Sequence, residues 1–222
     1  MTPGLRLPPR PQLSSIARPM KIDSATSTCI ILAPGKYPAP AVIVYGGKDL
    51  PVFGRTGGQW LSTQIPSGLK GRVVFVLPKD FSQKKPPVKC FEIELTACLK
   101  ELWNNISPTK INSYSLCGYS RGGERVYKYF SGPVDWKILG LIDPVTPPDE
   151  NLLDGVKSKI RCVYSMENWG GAGGNPGGAI WTFHEHLLEQ KVNMVTCDGK
   201  ARVQHRDMPA KFFNTYGSDL IP

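Results

Sequence analysis

The apolar residues of this chain come in short runs, and each run stops at a turn residue. Residues 29–33 (CIILA) stop at Pro34-Gly35, residues 41–45 (AVIVY) at Gly46-Gly47, and residues 72–77 (RVVFVL) at Pro78. Four more runs follow, at 111–117, 138–142, 160–166 and 192–197. Continuous apolar runs of this length fit strands buried on both faces. Between the third and fourth runs, Phe91, Ile93, Leu95, Leu99, Leu102 and Trp103 supply one apolar helical face. Helices are also expected after residue 122, over 180–190 and over 209–216. Buried strands alternating with helices predict an α/β domain: a mostly parallel sheet with helices on both faces. The runs at 29–33 and 41–45 have no helix between them and are expected to pair antiparallel at one edge.

The 222 residues suit one domain with a full-sized core. Residues 1–23 stand apart. Pro3, Pro8, Pro9, Pro11 and Pro19 alternate with Arg6, Arg10, Arg18 and Lys21, and the first acid is Asp23. Such a segment cannot bury a core of its own and reads as an extended basic arm, leaving residues 24–222 as the folded domain. An arm of this kind suits attachment to the domain itself, to a sister subunit or to a larger assembly such as a virion.

A formal charge of +9 favours anionic partners. No zinc-finger spacing, aromatic-basic RNA signature or recognition helix accompanies it, so no specific nucleic-acid role is expected. Of the six cysteines, Cys29, Cys117, Cys162 and Cys197 lie inside apolar runs, where a free thiol behaves as a small hydrophobe. That points to a reducing, cytoplasmic compartment. There is no C-x-x-C pair, and His184 and His186, two apart on a helix, face different ways. Neither a metal nor another cofactor is expected. No run approaches the roughly 20 apolar residues of a membrane span, and the first residues lack the apolar core of a signal peptide.

The chemistry concentrates at residues 110–130, KINSYSLCGYSRGGERVYKYF. A buried strand, the turn Gly118-Tyr119-Ser120-Arg121-Gly122 and a helix follow in direct succession. A serine hydroxyl becomes a useful nucleophile when a sharp turn holds it out where a base can reach it. Gly118 and Gly122 let strand and helix pass closely, and the helix N-terminus behind Ser120 favours developing negative charge. The polar residues Ser120, Asp143, Glu167 and His205 and the pair Gly46-Gly47 all lie just beyond strand ends, where open parallel sheets gather ligands.

On the elbow Gly118-Tyr-Ser120-Arg-Gly122, followed by an acid and then His205, the chain resembles the alpha/beta-hydrolase superfamily from about Cys29 to its C-terminus. The resemblance implies Ser120 as nucleophile, His205 as the base and later the acid, and a carboxylate that orients the imidazole. His205, in VQHRDMP, sits between the last strand and the terminal helix, where the family places its base. For the acid, Asp143 in LIDPV is preferred over Glu167 in SMENW, and Asp198 in an Asp-Gly turn stands behind both. The oxyanion hole would use the backbone N–H of Arg121 and that of Gly47, with Lys48 as the other donor available in that loop. The Arg121 side chain is suited either to an anionic substrate group or to pairing with Glu124. About 16 residues separate Asp143 from the next strand, too few for a cap domain, which leaves the glycine-rich loop at 170–178 as the cover.

The expected activity is cleavage of a small or lipid-like ester or thioester without a cofactor. A hydrolase fold serving as a structural or binding component of a larger assembly is the alternative, and amide or peptide cleavage by the same triad is a third reading.

Overall fold

The computed structural model describes residues 19–24, 26–47, 57–79, 93–132, 134–144, 155–165, 193–197 and 205–222. Among these, eight strands form one sheet in the order β1-β2-β4-β3-β5-β6-β7-β8. They are β1 (Met20–Ile22), β2 (Cys29–Ala33), β3 (Ala39–Tyr45), β4 (Val74–Pro78), β5 (Ile111–Tyr119), β6 (Trp136–Ile142), β7 (Ile160–Ser165) and β8 (Asn193–Cys197). From β4 through β8 every neighbouring pair is parallel. Five helices accompany them: α1 (Gly57–Gln64), α2 (Ser67–Lys70), α3 (Leu95–Asn105), α4 (Gly122–Tyr127) and α5 (Met208–Tyr216).

The strands divide their side chains by parity, as the two-residue repeat of a strand requires. Ile31, Ile43, Val76 and Leu139 join one core with Leu99 and Leu102 of α3 and Val126 of α4. Ile30, Val42, Phe75 and Ile142 join a second with Leu61 of α1, Leu69 of α2 and Phe212 of α5. Two buried cores on opposite faces explain why the central strands read as unbroken apolar runs.

The antiparallel expectation is corrected in one respect. β2 does run antiparallel near one edge, but its partners are β1 and β4, not β3. α1 and α2 lie between β3 and β4, and this crossover carries β4 past β3 to meet β2. Sequence reading missed both helices. α1 (GGQWLSTQ) opens on two glycines and holds only Trp60 and Leu61 as apolar anchors, so its periodicity is faint, although Leu61 is completely buried.

The sheet also begins inside the segment read as an arm: Met20–Ile22 pairs with Ile31–Ala33 of β2. Residues 1–18 lie outside the described set, as do the glycine-rich loop at 170–178 and the expected helix at 180–190. The turn between β1 and β2 is fastened by Lys79, buried just after β4. Its ammonium meets Asp23 Oδ1 at 2.6 Å and donates to the Ser24 carbonyl at 2.6 Å and to Ser27 Oγ at 3.1 Å. On the other side of β2, Glu101 of α3 accepts from the backbone N–H groups of Thr28 (2.7 Å) and Cys29 (3.1 Å).

Cys29, Cys98, Cys117 and Cys162 are free and buried. Among the described residues no helix is long and apolar enough to cross a membrane.

Candidate active site

The site forms where β3, β5 and β6 end, because the register of the parallel strands brings those ends level. Tyr45 lies beside Gly118, Tyr119 beside Ile142, and Ile142 beside Val163. The ladder continues one residue further: Ser120 N–H donates to the Ile142 carbonyl at 2.9 Å, and Asp143 N–H to the Val163 carbonyl at 2.8 Å. Ser120 and Asp143 are thus anchored by their backbones while their side chains project past the sheet.

Both residues hold backbones that L-amino acids avoid. Ser120 has φ 55° and Asp143 has φ 45°, and these are the non-glycine residues with positive φ among the described residues. Such conformations cost of order 1–2 kcal/mol and persist where the surroundings impose them. Here the imposition is visible. A Cβ at Gly118 would lie 2.4 Å from the Gly122 carbonyl oxygen, and one at Gly122 would lie 2.4 Å from that of Tyr45. Backbone meets backbone on both sides of the turn, so the chain between them is squeezed into an elbow with Ser120 at its tip. β5 runs two residues past its expected end to Tyr119, and the helix behind the elbow, α4, is correspondingly short.

Gly47 closes on Ser120 from the β3 side. A Cβ there would stand 2.6 Å from Ser120 Cβ and 3.0 Å from Oγ. The glycine therefore brings a bare backbone against the hydroxyl, in the neighbourhood an oxyanion donor must occupy. Lys48 lies outside the described residues. Arg121, next after Ser120, is exposed, and among the described residues no ion pair joins it to Glu124.

His205 arrives from a distant part of the chain. It begins a single 3-10 turn, His205–Asp207, that leads directly into α5. α5 is pinned to the sheet by Met208, Phe212 and Tyr216, spaced four apart, and by Phe213, whose ring meets Phe75 edge-on at 5.6 Å. With the helix seated, the imidazole stands over the strand ends. Its Nδ1 is 2.7 Å from Asp143 Oδ2, with the histidine side chain 25% exposed and the aspartate 0%. A fully buried carboxylate requires hydrogen-bond partners to be tolerated, and the imidazole is one of them. The tautomer that donates from Nδ1 leaves Nε2 with its lone pair as the basic atom.

Of the sequence-derived candidates, the structure thus gathers Ser120, Gly47 and Arg121 at the elbow and joins Asp143 to His205. Glu167 and Asp198 lie outside the described residues. Two neighbours were not anticipated. Tyr119 stacks on the His205 ring, centroids 4.8 Å apart at 25°, and donates from its hydroxyl to the His205 carbonyl at 3.2 Å. Trp60 of α1 packs against Tyr119 at 5.4 Å. The variable position of the elbow motif held Tyr119 in plain view, but nothing local connects it to a residue so far along the chain.

Other nucleophiles are muted. Burial pushes the Cys117 thiol up to about 12 and raises that of Cys162 as well, so neither offers a thiolate near neutral pH. Among the described residues no cluster of three His, Cys, Asp or Glu side chains is placed to hold a metal.

No protein-family model matches the chain, and no curated protein matches it in sequence. Solved structures match over nearly its whole length. A dienelactone hydrolase from Anabaena variabilis shares 14% identity over 90% of this chain and 99% of its own, with a TM-score of 0.58. Est1E from Butyrivibrio proteoclasticus shares 11% over 92% and 99%, with a TM-score of 0.56. An S-formylglutathione hydrolase from Agrobacterium tumefaciens shares 12% over 90% and 94%, with a TM-score of 0.53. Likeness at these identities concerns architecture alone, and on that ground this chain has the alpha/beta-hydrolase fold.

Proposed function

We propose that the protein is a serine hydrolase that cleaves carboxylic esters or thioesters through an acyl-enzyme. The observation that carries this reading is the 2.7 Å contact between His205 Nδ1 and the fully buried Asp143, beside an elbow whose serine holds φ 55°. A nucleophile held at a strained turn, a base, and a carboxylate that orients the base are the parts that acyl transfer needs.

In the proposed reaction Ser120 Oγ attacks the substrate carbonyl carbon while its proton passes to His205 Nε2. Asp143 holds the imidazole in the required tautomer and stabilises the imidazolium. The backbone N–H groups of Gly47 and Arg121 receive the oxyanion. Collapse of the tetrahedral species expels the alcohol or thiol, which takes its proton from His205. Water then attacks the acyl-serine by the same steps in reverse, releasing the acid and restoring Ser120. No cofactor enters. Two of the structurally similar proteins are named as hydrolases of dienelactone and of S-formylglutathione, which supports an ester or thioester as the bond cleaved.

The test is turnover of p-nitrophenyl acetate and of a short acyl thioester. Ser120→Ala is expected to lower kcat/KM by about three to six orders of magnitude while the protein stays folded. Turnover undiminished in that variant would overturn the reading.

A further inference from the structure

Asp143 alone does not immobilise the base. Its hydrogen bond holds one edge of the His205 ring, at Nδ1, and a single contact at one atom does not by itself set the tilt of the ring. The backbone of His205 sits at the start of a 3-10 turn and a helix, so its position follows any rocking of α5. Proton transfer to and from Ser120 needs Nε2 held in line with the hydroxyl, and a displacement of about 1 Å can cost 100-fold in rate.

We infer that Tyr119 is the positioning residue for His205, and that Trp60 backs it. Three observations meet in this one side chain. Its ring lies against the face of the imidazole, 4.8 Å between centroids and 25° from parallel, which blocks the tilt that Asp143 permits. Its hydroxyl donates to the His205 carbonyl at 3.2 Å and so fixes the backbone from which the imidazole hangs. Its own backbone is the last residue of β5, immediately before Ser120 and paired with Ile142, which precedes Asp143. Tyr119 is therefore built rigidly into the strand that carries the nucleophile, and beside the strand that carries the acid. The far-off base is referenced to both through a single ring. Trp60, at 5.4 Å and 36°, packs on Tyr119 and limits its movement; its helix rests on the same apolar core as α5. Tyr119 is 3% exposed, so it acts through His205 and offers substrate little surface.

This inference rests on the serine-hydrolase reading, and the experiment separates the two. Tyr119→Phe keeps the ring and loses the hydroxyl, Tyr119→Leu loses the stacked face, and Trp60→Leu removes the backing at a half-buried position. Steady-state hydrolysis of p-nitrophenyl acetate is measured for each, with thermal unfolding to show that the variant is folded. The His205 ring-proton chemical shifts are recorded independently of activity and assigned with His205→Gln. Expected are a fall in kcat of about 10- to 100-fold for Tyr119→Leu with KM changed by less than about 3-fold. Tyr119→Phe should recover most of that loss, and Trp60→Leu should lose a few-fold. The upfield shift that a stacked aromatic imposes on the His205 protons should survive in Tyr119→Phe and vanish in Tyr119→Leu.

Three results overturn the positioning role: a folded Tyr119→Leu with wild-type kcat, His205 ring protons that are unshifted in the wild-type protein, or an effect confined to KM. Should Tyr119→Leu fail to fold, wild-type kcat in both Trp60→Leu and Tyr119→Phe does the same. A shifted His205 ring in a wild-type protein that hydrolyses nothing would instead overturn the hydrolase reading while leaving the stack intact.

Discussion

Ser120 holds φ 55° between two close backbone crossings, so its conformation is bought with packing, and that has a measurable signature. At an ordinary strand end, alanine is more stable than glycine by roughly 0.5–1 kcal/mol. At this position the order should reverse, because glycine alone relaxes at positive φ. Ser120→Gly is expected to be more stable than Ser120→Ala by about 1 kcal/mol in urea unfolding, with both inactive. Alanine as the more stable of the two would mean that the elbow is not strained. Ser120 itself was legible in the sequence because G-x-S-x-G stood between a buried strand and a helix. Asp143 was legible because Asp-Pro closes a strand, and His205 because it precedes the terminal helix. Tyr119 was not. Its role comes from a contact across 86 residues of chain, and its aromatic ring reads locally as another core side chain.

At the scale of elements, the strands were legible and the crossover was not. β2, β3 and β4 announce themselves as apolar runs, whereas α1 carries two glycines and four hydroxyl or amide residues around its two apolar anchors. Its burial comes from docking over the sheet rather than from its own periodicity, and without it the order of β3 and β4 could not be read. The edge also contains a polar clasp that no pattern foretells. Lys79 is buried and holds the β1–β2 turn through Asp23, and its hydrogen bond first, with that of Lys21 after it, holds the Asp23 carboxyl below its ordinary value of 3.8. A depressed carboxylate contributes stability that is present above its unfolded-state value and lost as pH falls through the folded-state one. Asp23→Asn should therefore destabilise the protein near neutral pH, by about 1–2 kcal/mol. The gap from wild type should close as pH falls through the lowered folded-state value of the carboxyl. Urea titrations of both proteins across pH check this, and a gap that stays constant with pH would rule out the ion pair as its source.

Over the whole molecule, a basic polypeptide with an apolar core on each face of one sheet brings the ends of β3, β5 and β6 level, with Ser120 and Asp143 just beyond them. The parallel alternation made that architecture readable from the chain alone. Parallel order also explains why residues far apart in sequence converge, since each crossover returns the chain to the same edge. The central claim is that this edge carries an acyl-transfer nucleophile driven by His205. Its most direct test is peptide mapping by mass spectrometry after brief exposure to a fluorophosphonate. One phosphonyl adduct is expected, on Ser120, with its rate of formation reduced by at least about 100-fold in His205→Gln. An adduct elsewhere, or undiminished labelling of Ser120 without the histidine, would contradict it.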